Sequence, residues 1–190
     1  MATIWLTSIA ERYRAILEDL AIAIRTCPDE LWEESLYPDD PDQPPTWTPL
    51  DPDGRPFDDE KVAAQKRRAQ GSVWRTAAHI LFYTDAELSA TEKDWAPPAP
   101  MSLHDEDQDV VPPTHTREHL SAYADHCLRK TDEFFAGLTD ERAELPVADT
   151  HRHSGTPLGE MLVVGLAHLQ MHTAQLRTYL VTRGVPWAGE

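Results

Sequence analysis

The chain has 190 residues with 33 acidic and 17 basic side chains, a formal charge of -16. It is long enough for one sizeable core and short for two, so residues 1–190 are expected to form a single domain. The negative field repels phosphate backbones and anionic lipid surfaces, which argues against nucleic acid and membrane partners.

The opening "MATIWLTSIAERYRAIL" has no basic segment leading a long apolar stretch, and no uncharged apolar run is long enough to span a bilayer. A cytoplasmic protein is the expectation. Cys27 and Cys127 belong to no CxxC pair, so no disulfide framework or sulfur-rich metal site is suggested. Both read as small buried apolar groups.

The first helical period runs from about Thr3 to Thr26, where Ile9, Tyr13, Ile16, Leu20 and Ile24 recur at three- and four-residue steps. Pro28 breaks it. A connection over about residues 27–70 follows, rich in proline and acid, whose aromatics Trp32, Tyr37, Trp47 and Phe57 favour a loop that packs down. The second helix opens at Ser72, a cap for the orphan amides, and continues through "RTAAHILFYTDAELSA" with apolar residues over most of its circumference.

A second proline-rich connection, about residues 91–115, leads to a third helix capped by Thr116. That helix turns Leu120, Ala124, Cys127, Leu128, Phe135 and Leu138 inward and ends before "GLTDERAELP". The fourth has Thr156 as cap and Pro157 at the first helical position, and runs to Arg183 before "GVP". With no strand-like alternation, the fold class is all-α, a four-helix bundle with two elaborated connections. A long second connection allows helices two and three to run parallel.

"HLQMHTAQL", residues 168–176, sets His168 and His172 four apart on one helical face, about one turn from each other. Met161, Gly165, Gln175 and Tyr179 share that face, and Leu158, Leu162, Leu169, Leu176 and Leu180 follow an adjoining stripe. Two such imidazoles either hydrogen-bond as core groups or converge as metal ligands. A faint internal echo, "AHILFYT" at 78–84 against "AHLQMHT" at 167–173, singles out His79 as the partner of His168.

Leu169 stands where HExxH metalloproteases carry their catalytic glutamate, and no nucleophile elbow, phosphate loop or dinucleotide fingerprint occurs. His104, His115, His119, His126, His151 and His153 fall in loops or on the third helix, with "HRH" at 151–153 read as a solvated pair. Arg75 and Arg177 can compensate an anionic substrate near the pocket, but read as solvated surface residues.

"SVWRTAAHI", "FFAGLTDERAEL" and "SGTPLGEMLVVGLAHLQMHTAQL" together resemble the DinB/YfiT-like superfamily of bacterial four-helix bundles, over most of the chain. Its motif is a mid-helix His on helix two and HxxxHxxQL on helix four. The resemblance implies an up-down-down-up bundle, often a homodimer, with a divalent zinc or nickel ion held by His79, His168 and His172, and with Gln175 and Leu176 completing the pattern. Thr173 and Ala174 depart from the Arg-Gly or His-Gly pair that many members carry before the Gln. It further implies an enzyme acting on a small-molecule substrate, a thiol-dependent transferase or a hydrolase with a low-molecular-weight thiol or water as nucleophile.

Gln175, one turn beyond His172, is then the candidate to orient a ligand or the nucleophile. The alternatives are a non-catalytic metal-binding protein with a structural or sensory site, and a bundle with packed core histidines whose acidic loops bind a protein.

Overall fold

The computed structural model describes residues 4–37, 71–89, 95–106, 113–148, 151 and 153–187. The chain is all-helical, and among the described residues there is no strand. Its elements are α1 (Ile4–Thr26), α2 (Asp29–Trp32), α3 (Val73–Glu87), a 3-10 turn (Leu103–Glu106), α4 (Arg117–Ala136), α5 (Asp140–Ala143) and α6 (Leu158–Thr182).

Helix α1 buries Leu6, Tyr13, Ile16, Leu17, Leu20, Ala21, Ala23 and Ile24, so the expected stripe is present and broader than its period suggests. Its breadth follows from two neighbours: α1 packs against both α4 and α6, while α3 packs against α6 and α4. Pro28 does end α1, but its extended backbone also opens the short helix α2, which places Trp32 in the core. Trp47 and Phe57 lie outside the described residues. Tyr37, expected to pack down, is exposed.

A short main-chain pairing fixes where α3 begins. Leu36 N–H donates to Gly71 O at 2.8 Å and Val73 N–H to Glu34 O at 3.1 Å, setting residues 34–36 beside residues 71–73. Ser72 then caps α3, its Oγ accepting from Arg75 N–H at 3.3 Å as expected. Every residue of α3 is buried except His79 and Tyr83. Arg75, read as a solvated residue, is therefore a correction: it lies on a helix surrounded by protein and is 6% exposed.

Thr116 caps α4 as expected, accepting from His119 N–H at 3.3 Å. Leu120, Ala124 and Cys127 point inward, but the inner face continues through Tyr123 and Thr131, leaving Leu128 and Phe135 half-buried at its edges. Leu138 is buried beyond the helix end. The "DERA" stretch after it forms α5, capped by Thr139 Oγ.

Helix α6 begins one residue later than the spacing predicts. Pro157 occupies the cap position, no side chain caps the end, and Thr156 does not serve as the cap. The bridge between Pro146 and Pro157, with Leu158 N–H donating to Leu145 O at 2.9 Å, holds Pro157 in extended backbone and delays the first helical turn. At the other end Gly184 has φ 80, Val185 N–H donates to Leu180 O at 3.0 Å and Gly184 N–H to Val181 O at 3.0 Å. This left-handed cap needs the glycine and stops the helix where "GVP" predicts.

No helix of the described residues is long and apolar enough to cross a membrane.

Candidate metal centre

His79, in the middle of α3, is one of two residues the surrounding core leaves half-exposed on that helix. It faces α6, where His168 and His172 present adjacent turns of one face. Ring centroids lie 5.3 Å apart for His79 and His168, 5.2 Å for His79 and His172, and 4.8 Å for His168 and His172. One ligand nitrogen from each ring lies within 4.8 Å of the others. Among the described residues, no other group of three His, Cys, Asp or Glu side chains brings ligand atoms so close.

The donor set suits a borderline divalent ion. Imidazole nitrogens bind zinc at about 2.0–2.1 Å, and a tetrahedral ion holds its donors about 3.4 Å apart. Three imidazoles are all neutral ligands, so the full charge of the ion would remain available to a fourth group.

Two of the three rings are oriented from behind. His172 Nδ1–H donates to Gln175 Oε1 at 2.8 Å, which leaves Nε2 as the ligand atom. Gln175 therefore holds a candidate ligand ring, rather than reaching past it toward the cavity. Burial, and then the neighbouring His79 imidazole, pull the His172 pKa below its usual value, with the Gln175 hydrogen bond acting in the other direction. The shift favours the neutral imidazole, the form that a metal ion requires.

His79 Nδ1–H donates to Glu106 Oε2 at 2.9 Å, and Glu106 Oε1 accepts from the Arg75 guanidinium. Burial raises the Glu106 carboxyl, but the His79 hydrogen bond and the Arg75 charge outweigh it and hold the group below the usual carboxylate range. Glu106 is accordingly an anion, and an anion can only accept. Tyr83 packs edge-on against His79 and His168, with centroids at 4.5 and 5.7 Å.

A cavity of about 160 Å³ adjoins the centre, lined by Tyr37, Arg75, Thr76, His79 and His172. With about 30 Å³ per water in the liquid, it has room for a small organic group. Its lining residues bring a phenol, a guanidinium, a hydroxyl and two imidazoles to a wall that is otherwise largely apolar.

The pattern of histidines located all three candidate ligands, but it passed over Glu106, Tyr37, Thr76 and Tyr83. Glu106 sits in the acidic run "HDEDQD", where nothing local distinguishes the carboxylate that turns toward His79. His151, read as solvated, is 4% exposed and accepts from His153 N–H through Nδ1 at 3.1 Å, a second correction. Burial of the loop against the core is a tertiary effect that the "HRH" triplet does not encode. His115 and His126 serve other carboxylates: Asp105 at 2.9 Å and Asp85 at 3.3 Å. Arg177 stacks over Trp187 at 5.0 Å.

No family model, curated protein or solved structure matches this chain.

Proposed function

We propose that this protein is a metal-dependent enzyme of the DinB/YfiT-like kind, in which His79, His168 and His172 hold zinc or nickel and a small molecule reacts in the adjoining cavity. The observation that carries this reading is the convergence of three imidazoles from two helices beside a cavity, two of them with Nδ1 already engaged. A divalent ion held by neutral ligands lowers the pKa of bound water or of a thiol cosubstrate and so makes a nucleophile near neutral pH. Within the chain, Gln175 and Glu106 keep the rings in their ligating orientation, and α3 and α6 exclude water from the inner side of the centre. Arg75 and Thr76 line the space that a substrate would enter.

The helix pairings support an up-down-down-up bundle for the same fold. Arg14 meets Asp132 and Arg25 meets Asp125, so α1 and α4 run oppositely. Trp74 packs on His115 while Cys127 reaches Leu81 O, which aligns α3 with α4. Tyr13 donates to Leu162 O and Tyr179 to Glu34, which aligns α1 with α6.

Elemental analysis of protein purified without an affinity tag, beside His79→Ala, His168→Ala and His172→Ala, tests the reading. Wild type is expected to carry about one equivalent of zinc or nickel after supplementation, and each variant to lose most of it. A wild type that takes up no metal would sink the reading. If metal binds, and chelation lowers the melting temperature, yet no thiol or electrophile from a broad panel is bound or turned over, the site is structural or sensory instead.

A further inference from the structure

Glu106 ends the 3-10 turn, and its two carboxylate oxygens have separate partners. Oε1 takes the Arg75 guanidinium, and Oε2 takes His79 Nδ1–H at 2.9 Å. Arg75 and His79 are four residues apart on α3 and therefore on one face, so a single carboxylate can reach both. The Glu106 side chain is 8% exposed and that of Arg75 7%, which shields the pair from competing water.

The backbone beneath Glu106 is anchored by a different set of residues from the one its carboxylate meets. Its neighbour Asp105 accepts from Ser102 N–H at 3.2 Å, from Ser102 Oγ–H at 2.8 Å and from His115 Nε2–H at 2.9 Å. The main chain of His115 in turn accepts from Trp32 Nε1–H at 2.9 Å. The turn is thus fastened to the start of α4 and to α2, and carries Glu106 to α3 ready-placed.

We propose that Glu106 is the positioning residue of the metal centre, holding His79 in the Nδ1–H tautomer so that Nε2 is the lone-pair donor facing His168 and His172. The inference rests on the three-histidine reading for its metal, but the tautomer itself is a property of the metal-free protein. A carboxylate behind a ligating imidazole fixes its ring and raises its basicity, and loss of such a partner costs about 10–100-fold in metal affinity.

The pairing makes Glu106→Gln a sharp variant. Arg75 only donates, so it claims the single amide oxygen and leaves the amide NH2 facing His79. Nδ1 must then accept, the proton moves to Nε2, and the ligand lone pair is lost.

Long-range nitrogen–proton NMR of 15N-histidine-labelled protein in chelator at pH 8 reads the tautomer directly, with His79 assigned by its loss in His79→Gln. Wild type is expected to show Nδ1–H at His79, and Glu106→Gln to show Nε2–H with unchanged circular dichroism. Zinc affinity, measured against a chromophoric chelator, should fall about 10–100-fold in the variant. Wild-type His79 found as the Nε2–H tautomer overturns the proposal without any variant, which covers the case where Glu106→Gln fails to fold. A folded variant that keeps Nδ1–H and wild-type zinc affinity overturns it as well. A tautomer that switches in a protein that never binds zinc supports the positioning role and defeats only the metal reading; zinc binding with no switch does the reverse.

Discussion

His172 and Gln175 lie one helical turn apart on α6 and are joined by a 2.8 Å hydrogen bond from Nδ1–H to Oε1. This contact gives "HxxQ" a structural meaning, since the glutamine sets which nitrogen of the histidine is left to bind. Gln175→Leu removes the acceptor and leaves the helix intact. Zinc affinity is expected to drop roughly 10-fold or more, with little change in melting temperature of the metal-free protein. Unchanged affinity in a chelator competition titration would show that Gln175 has no part in holding the ring.

A second polar cluster, gathered on Asp85, predicts a stability effect. Asp85 is 1% exposed and accepts from Tyr123 Oη–H at 3.0 Å, Trp95 Nε1–H at 3.1 Å and His126 Nε2 at 3.3 Å, and from Lys130. Asp85→Ala leaves the buried Tyr123 hydroxyl without its acceptor and takes the carboxylate from Lys130, which keeps the main-chain oxygen of residue 85 and Ser89 Oγ. Leaving a buried donor without its acceptor costs about 1–3 kcal/mol. Urea denaturation should show that loss; a change near that of an exposed ion pair, under about 1 kcal/mol, would contradict the assigned burial.

Gly165 predicts an effect of close approach. A Cβ built there would stand 2.5 Å from Tyr13 Oη and 2.3 Å from Glu87 Oε2, both on buried side chains. Tyr13 has no room to yield, because its hydroxyl donates to Leu162 O at 2.9 Å and its ring is fully buried. Overpacking of this kind costs typically about 1–3 kcal/mol, against a gain in helix propensity of up to about 1 kcal/mol for replacing glycine. Gly165→Ala is therefore expected to melt lower than wild type. An equal or higher melting temperature would mean that α1 and α6 are less tightly apposed.

The thiols predict a pH dependence. Burial pushes the Cys27 thiol up to about 11, and burial raises that of Cys127 as well. A thiol with a raised folded pKa contributes stability that is complete below its unfolded value of about 8.5 and is lost as pH rises through the folded value. Stability should hold to about pH 8 and decline between about 9 and 11. At pH 8 the native protein should give no rapid reaction with an aromatic disulfide reagent, and two equivalents after denaturation. Rapid native labelling would show that Cys27 is accessible.

Much of this architecture was open to a reading of local signals. The caps Ser72 and Thr116, the α1 stripe and the stop at Gly184 depend on residues within a turn of one another, and each is found where its chemistry requires. The exceptions have a common cause. Thr156 loses its capping role because Pro146, ten residues earlier, pairs with Pro157. Arg75 is buried because α3 is enclosed on nearly all sides, which a helix apolar over most of its circumference hints at without naming the polar residues taken inside.

The candidate centre divides in the same way. By itself the amino-acid sequence determined that His168 and His172 share a face, because a 3.6-residue turn leaves no other outcome for an i, i+4 pair. It also singled out His79 through a short echo. What only the tertiary structure decided is that the three rings meet, that Glu106 is the carboxylate behind His79, and that Arg75 braces it. Helical periodicity carries information over a few residues, whereas these contacts join α3 to positions 27 and more residues away, where the packing of whole elements sets which side chains face each other.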